Sequence, residues 1–375
     1  MKHQVAKVAV LAGDGIGPEV MQEALKVLQA VEQKFPIRLA LTEAPVGWAG
    51  MDAAGHALPD ATLELCRASD AILFGSIGLP ERDPTVPKEA RPERAALMRL
   101  RSTFKLFANL RPVKLWPELS HTCPLVTARQ GDGIDFLVVR ELTGGVYFGQ
   151  PKRTEDLPDG QRRAIDSMVY TTAEIARIAH VAFRAAQNRA RSGRPPKVTS
   201  IDKANVLENG VLWREVVTQV GRHYPKIALE HMLVDNAAMQ LLLRPTQFDV
   251  ILCENLFGDI LSDEAAALVG SLGMVPSASL AEPIDNRVFG LYEPAGGSAP
   301  DIAGKGIANP MAQILSAALM LRHSFQLEAA HDAILQAIGH AIREGYRTGD
   351  IFNPADPNAR RVTTREMGDA IAAAV

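Results

Sequence analysis

Short apolar runs, each closing on a glycine or a charged residue and each followed by a stretch with helical spacing, recur along this chain. Residues 7–12, 71–76, 136–139, 197–202, 226–234 and 248–253 read as strands. Residues 19–31, 94–107, 172–191, 206–222, 235–243, 258–269, 309–324, 328–344 and 364–374 read as helices. Buried strands alternating with helices predict an α/β fold. Pro18, just after the glycines of 13–17, suits a first helical turn. The helix over 94–107 is expected to stop before Arg111-Pro112, because the residue ahead of a proline avoids helical backbone. Residues 79–93, rich in Pro, Glu and Arg, read as a loop, and Gly193-Arg194-Pro195-Pro196 as a break. Residues 143–166 read as an extended β-arm. Residues 276–307 read as one long Gly/Pro-rich loop, and a loop of that length is usually functional. A chain of 375 residues is too long for one simple core, so two domains, or one large α/β unit with a lobe, are expected, and no internal repeat is visible.

Composition narrows the function classes. A formal charge of −3 gives no strong field for nucleic acid or an anionic membrane, so neither is expected as a partner. The three cysteines, Cys66, Cys123 and Cys253, are widely spaced and odd in number, which argues against a disulfide framework. The apolar run 5–11 ends in Gly13-Asp14-Gly15 and reads as a buried strand instead of a signal peptide. No apolar run approaches the roughly 18 residues of a membrane span. A cytoplasmic protein is expected.

Several residues carry chemistry. Asp259 and Asp263 stand four apart in a helical stretch, so their carboxylates share a face with Cβ atoms roughly 6 Å apart. Such a pair either offsets the helix macrodipole or flanks a cation. Oxygen donors without nearby His or Cys favour Mg²⁺ or Mn²⁺ over zinc. Asp235, where a strand gives way to a helix, is either a third ligand or an N-cap. Arg101, Arg111 and Arg140 each follow or end an apolar element. Together they suit a dicarboxylate; separately they make ordinary salt bridges. Lys203, at the end of strand 197–202, is either a base of lowered pKa or the partner of a nearby carboxylate. Tyr147, among glycines, either packs within the arm or donates a proton.

Two glycine-rich stretches suggest a nucleotide. Gly13-Asp14-Gly15-Ile16-Gly17-Pro18-Glu19 is either a tight turn or a place where a ligand approaches the backbone. It is not GxGxxG, because the third glycine comes one residue early, and no acid about 20 residues on holds a convincing ribose position, so the stretch is a poor match to a Rossmann fingerprint. Residues 293–310 lack P-loop spacing yet can cradle a pyrophosphate ahead of a helix. Asp301 suits a ribose diol and repels a 2′-phosphate.

Taken together, GDGIGPEV at 13–20, LRP at 110–112, VRELTGGVYFGQP at 139–151, SIDKANVL at 200–207, FGDILSDE at 257–264 and GSAPDIAGKGIANP at 297–310 resemble the β-decarboxylating dehydrogenases of 2-hydroxy acids, the isocitrate/isopropylmalate dehydrogenase family. The resemblance spans nearly the whole chain. It implies a two-domain, non-Rossmann α/β fold of the isopropylmalate-dehydrogenase type with a β-arm for dimerisation. The domains implied are 1–106 with 270–375, carrying the cofactor and both termini, and 107–269, carrying the substrate and the arm at about 143–166. It implies that Arg101, Arg111 and Arg140 hold malate carboxylates and that Asp235, Asp259 and Asp263 ligate Mg²⁺ or Mn²⁺. Lys203 and Asp235 would be lent across a homodimer interface, and Tyr147 and Lys203 would move protons. Ile16, Glu293, Gly297, Ser298, Ala299, Pro300, Asp301, Ile302 and Asn309 would contact NAD.

Leu97 and Met98, one turn before Arg101, are read as an apolar pocket for an isopropyl group or as core packing. The implied activity is NAD-dependent oxidative decarboxylation of 3-isopropylmalate in leucine biosynthesis, with D-malate or tartrate as the alternative substrate. Two stretches depart from the family pattern. Gly78-Leu79-Pro80-Glu81-Arg82 stands where relatives often read Gly-Gly-Pro-Lys-Trp, and Gly296 stands where many carry His. These departures bear on loop closure and on the adenine contacts.

Overall fold

The computed structural model describes residues 4–190, 195–285 and 287–375, so Gly193 and Arg194 of the expected break lie outside the described residues. The chain forms two compact units. The first comprises Met1–Leu106, Trp116–Pro124 and Val269–Val375; the second comprises Phe107–Leu115 and Leu125–Leu268.

In the first unit five strands lie in the order Ile37–Glu43, Gln4–Gly13, Ala71–Ser76, Gly290–Pro294, Pro276–Leu280. The first four run parallel, with Gln4 opposite Ile37, Val8 opposite Ala71 and Leu291 opposite Ile72. Pro276–Leu280 pairs antiparallel with Gly290–Pro294. Ala71–Ser76 is buried at every position, as expected of an interior strand with both faces covered. Helix Gly17–Lys34 buries Val20, Met21, Ala24, Val27, Leu28 and Val31, an apolar stripe at helical spacing. Its start uses Pro18 and Glu19 in the first turn, and Lys34 lies in the last. Helix Met311–His323 is buried continuously from Met311 to Leu321, so no polar face marks it. Helix Thr364–Ala374 opens with a capping box between Thr363 and Glu366.

In the second unit the strand order is Ala108–Lys114, Asp135–Glu141, Val250–Cys253, Lys197–Asp202, Ala228–Leu233. Ala108–Lys114 is antiparallel to its neighbour and the rest are parallel. Helices Thr172–Ala190, Glu208–Gly221, Val234–Leu243 and Asn255–Ala267 accompany them. Lys152–Asp156 and Arg162–Asp166 form a separate antiparallel ribbon, exposed at most positions and lacking a buried face.

Three expectations are corrected. Residues 276–307 are not one loop, because they contain two buried strands, Pro276–Leu280 and Gly290–Pro294. Pro276-Ser277-Ala278-Ser279-Leu280 offers small side chains without β-branched or aromatic residues, so the usual strand signal is missing. The helix expected over 94–107 winds as a wide π-turn over Glu93–Met98 and ends as an α-helix at Thr103. Lys105, at φ 51°, turns the chain out of it, and Arg111-Pro112 lies inside a strand. Finally, strand Ile37–Glu43 and helices Trp48–Ala54 and Asp60–Arg67 were not anticipated. The strand is half exposed, yet its apolar Ile37, Leu39 and Leu41 alternate with Arg38, Ala40 and Thr42, a signal that was present in the sequence.

Gly13 has φ 75°, and a Cβ there would lie 2.0 Å from the Ser76 carbonyl oxygen. Gly13→Ala is expected to destabilise the protein by about 1–3 kcal/mol through overpacking and left-handed strain. Urea unfolding measures this, and an unchanged midpoint would contradict the account.

Candidate active site

The second unit gathers most of the predicted chemistry on one helix. Asn255–Ala267 begins beside the strand Asp135–Glu141, and the buried Glu254 carboxylate caps it by accepting from the Leu256 and Phe257 amides. Arg140, at the end of that strand, is only 2% exposed. Its Nε and Nη2 donate to Asn255 Oδ1 at 3.2 and 2.7 Å, and its Nη1 donates to the Asp259 carboxylate. Gly258 makes this possible, because a Cβ there would stand 2.5 Å from Arg140 Cγ. Tyr147 donates its hydroxyl to Asp259 Oδ2 at 2.7 Å. One turn on, Asp263 accepts from Arg111 Nη1 at 2.9 Å, and Arg111 also donates to Ser262 Oγ and Asn109 Oδ1. Asp259 and Asp263 thus do share a face, and two of the three predicted arginines converge on it.

These contacts set the protonation states. Burial pushes the Asp259 carboxyl up, but Arg140, the Tyr147 hydroxyl and Arg111 outweigh it and hold it below its ordinary value. Burial, then the hydrogen bond to Asp259, pushes the Tyr147 hydroxyl up to about 12. Tyr147 is therefore neutral and able to donate. Behind the helix, Tyr170 donates to Glu254 at 3.0 Å and accepts from the Asn255 amide at 2.9 Å. Asn255 Nδ2 donates to the Gly144 carbonyl at 2.9 Å, which fastens the turn carrying Tyr147. Burial pushes the Glu254 carboxyl up. Asn255, Tyr170 and Glu254 escaped the sequence reading. Asn255 borders the aspartate motif, but nothing in the sequence marks Tyr170, 85 residues away.

Lys203 and Asp235 form a separate pair. Lys203 Nζ lies 2.5 Å from Asp235 Oδ1, and that hydrogen bond holds the Asp235 carboxyl below its ordinary value. Asp235 sits in the first turn of Val234–Leu243 without acting as its N-cap. Among the described residues no three His, Cys, Asp or Glu side chains are grouped to hold a metal, so one chain does not unite Asp235 with Asp259 and Asp263. The chemistry of the pair Asp259 and Asp263 suits a hard cation, while their number leaves the ligand set incomplete within a single chain.

In the first unit the two glycine-rich stretches meet. The Ile16 amide donates to the Ser298 carbonyl at 2.8 Å, and a Cβ at Gly15 would lie 2.0 Å from that same oxygen. Beside this junction lies a cavity of about 440 Å³, within the range of ligand pockets. Ile16, Gly297, Ala299, Ile302 and Asn309, all predicted cofactor contacts, line it. So do Leu272, Gln313, Asp350 and Arg361, which the sequence reading missed. Gln313 is buried, its Nε2 donates to the Phe74 carbonyl, and its Oε1 has no partner. An orphaned acceptor in a glycine-lined cavity fits a nucleotide. Asn309 Nδ2 donates to Asp350 at 3.0 Å.

Four predicted contacts stand apart from that lining. Glu293 pairs with Arg101 at 2.9 Å. Ser298 donates its hydroxyl to the Gly78 carbonyl at 2.5 Å. Pro300 and Asp301 are exposed. Leu97 and Met98 are half-buried on the Glu93–Met98 turn, and Leu97 packs against the core around Phe74 and Leu100.

Asp259→Asn leaves the buried Arg140 guanidinium facing a neutral group and is expected to cost about 1–3 kcal/mol near neutral pH. Because the native carboxyl is held below its ordinary value, its contribution is present above that value and is lost as pH falls through the native one. The gap between wild type and variant should therefore close in acid. Urea titrations at several pH values measure it, and a gap that persists below the native value would refute the assignment.

Residues 7–371 match the profile of the family described as isocitrate/isopropylmalate dehydrogenase. The chain is 59% identical over 367 residues to the 3-isopropylmalate dehydrogenase of Syntrophotalea carbinolica, covering 98% of this chain and 97% of that protein. It is 56% identical over 366 residues to the enzyme of the same name from Salmonella typhimurium, covering 97% and 96%. Among solved structures, isocitrate dehydrogenase from Methylococcus capsulatus superimposes with a TM-score of 0.83 at 32% identity, over 98% of this chain and 99% of that one. No helix among the described residues is long and apolar enough to cross a membrane. The chain belongs to the isocitrate/isopropylmalate dehydrogenase family, oxidoreductases of small hydroxy acids whose chemistry implies a pyridine nucleotide and a divalent metal.

Proposed function

We propose that this chain catalyses the NAD-dependent oxidative decarboxylation of 3-isopropylmalate to 4-methyl-2-oxopentanoate and CO₂, a step of leucine biosynthesis, in the cytoplasm. The observation that carries the reading is identity of 54–59% along almost the whole length of relatives bearing that enzyme's name. The pairing of Arg111 and Arg140 with Asp263 and Asp259 supports it. A hydroxy-diacid and a divalent cation offer each partner of these pairs a replacement of the right sign.

In this reading the first unit holds NAD through the cavity and Asp301, whose negative charge selects against a 2′-phosphate. The second unit holds Mg²⁺ or Mn²⁺ through Asp259 and Asp263, with Asp235 of a second copy completing the set. When bound, the nucleotide accepts the hydride from C2 and the ion polarises the C2 oxygen. Arg111 and Arg140 grip the substrate carboxylates, and Arg101 is assigned to the same task by its motif. Lys203, lent by the second copy, accepts the hydroxyl proton. The C3 carboxylate leaves as CO₂, and Tyr147 supplies the proton that C3 then requires. Leu97 and Met98 receive the isopropyl group. A homodimer is supported by the exposed apolar side chains of Met239, Leu242, Leu243 and Ile260 on two helices of the second unit.

Steady-state kinetics with 3-isopropylmalate, D-malate and tartrate should give the highest kcat/KM for 3-isopropylmalate. A higher value for either other diacid would overturn the substrate assignment. Tyr147→Phe, supplied with the oxidised 3-carboxy-2-oxo acid, should form the final product about 100-fold or more slowly. Product formation at the full rate would remove Tyr147 from the acid role.

A further inference from the structure

The nucleotide cavity has an unusual wall. Gly273, Gly296, Gly297 and Gly349 all line it, and its described lining residues include no aromatic ring. A purine base entering it therefore has no ring to lie against. Among the described residues two charged side chains line it, Asp350 and Arg361. The Asp350 carboxylate is already held by neutral donors: Thr348 Oγ1 at 2.5 Å, Asn309 Nδ2 at 3.0 Å and the Ser271 hydroxyl. Arg361 is exposed, and among the described residues its guanidinium has no hydrogen-bond or ion-pair partner.

Its placement is nevertheless fixed. Arg361 lies on a short strand, Arg360–Arg361, paired in parallel with Tyr346–Arg347. The amides of Arg360 and Val362 donate to the Gly345 and Arg347 carbonyls at 2.7 and 2.8 Å. The side chain then crosses Gly349. From the position a Cβ would take on Gly349, Arg361 Nη2, Nε and Cζ stand at 3.2, 3.7 and 3.8 Å. The two nitrogens stand nearer than the central carbon, so Gly349 meets the Nε–Nη2 edge of the guanidinium, which passes this close because residue 349 has no Cβ. Gly349 and Arg361 both line the cavity, so the unpaired group stands at its wall.

We propose that Arg361 is a stacking residue for the adenine base of the dinucleotide, with Gly349 leaving the room that lets the guanidinium reach the cavity wall. The inference rests on the reading of this cavity as the nucleotide site. A planar delocalised cation attracts an aromatic face and, unlike a point charge, offers area as well as charge. The contact depends on the base and is indifferent to a 2′-phosphate.

Isothermal titration of the full-length protein with NAD, NADP and ADP-ribose, at low and high salt, tests the proposal. Arg361→Ala, checked for folding by circular dichroism, should weaken all three about three- to tenfold, by equal factors and with little salt dependence. Gly349→Ala, whose Cβ would crowd the guanidinium edge at 3.2 Å from Nη2, should act in the same direction. A loss confined to NADP, or one that vanishes at high salt, would mean phosphate pairing and would overturn the proposal. Unchanged affinities in Arg361→Ala would overturn it while leaving the nucleotide site standing. A wild-type protein that binds none of the three would overturn both.

Discussion

A guanidinium taken almost wholly out of water must find its partners inside the protein, since a buried ion left unpaired costs several kcal/mol. Arg140 is in that position, and much of the second unit is arranged around it. Two of its nitrogens go to Asn255 and a third to Asp259. Those three bonds fix helix Asn255–Ala267 against strand Asp135–Glu141. They require glycine at 258, because any side chain there would strike the arginine stem. Asn255 passes the constraint to the Gly144 turn, and that turn delivers the Tyr147 hydroxyl to Asp259.

The same balance explains why acids and bases interlock without a ligand. Asp259 and Asp263, one helical turn apart, would repel each other if left bare. Arg140 and Arg111 neutralise them, and the two like-charged pairs become two salt bridges. Arg111 is nearly buried whereas Asp263 is largely exposed. The arginines are therefore rigid fixtures, and the aspartates are the partners that can be exchanged. A divalent ion taking the carboxylates would free both guanidinium groups at one time. Metal and diacid binding would then favour each other, since each supplies the charge that the other displaces.

Legibility in the sequence followed periodicity and motif. The strand Ala71–Ser76, the helix Thr364–Ala374 and the strand Lys197–Asp202 stand at their expected limits, because burial or capping wrote a clean local pattern there. Pro276–Leu280 was illegible because Ser and Ala fill a tight space beside a buried helix, where size matters more than β-propensity. The Asp259–Asp263 face was readable from a spacing of four. Its convergence with Arg111 and Arg140 was not, since those contacts span more than 100 residues and alternative salt bridges fit the sequence equally well. Tyr170 and Glu254 were missed because a buried tyrosine reads as core until its hydroxyl has a partner.

The glycine-lined cavity of the first unit was half legible for a related physical reason. Its walls owe more to backbone and small residues than to reactive side chains. Glycine-rich stretches announced that a backbone would be approached closely, and the Ile16 amide and Ser298 carbonyl show where the two stretches join. The far wall comes from Gly349, Asp350 and Arg361, near the end of the chain and outside any glycine-rich motif. Thr364, the first residue of the C-terminal helix, donates its hydroxyl to the Ala308 carbonyl at 2.6 Å and its amide to the Gly306 carbonyl. The C-terminal helix is thus fastened to the segment that supplies Ile307 and Ala308 to the lining, although it contributes no lining residue itself. A cavity closed in this way depends on long-range packing, and no local reading of spacing could have assembled it.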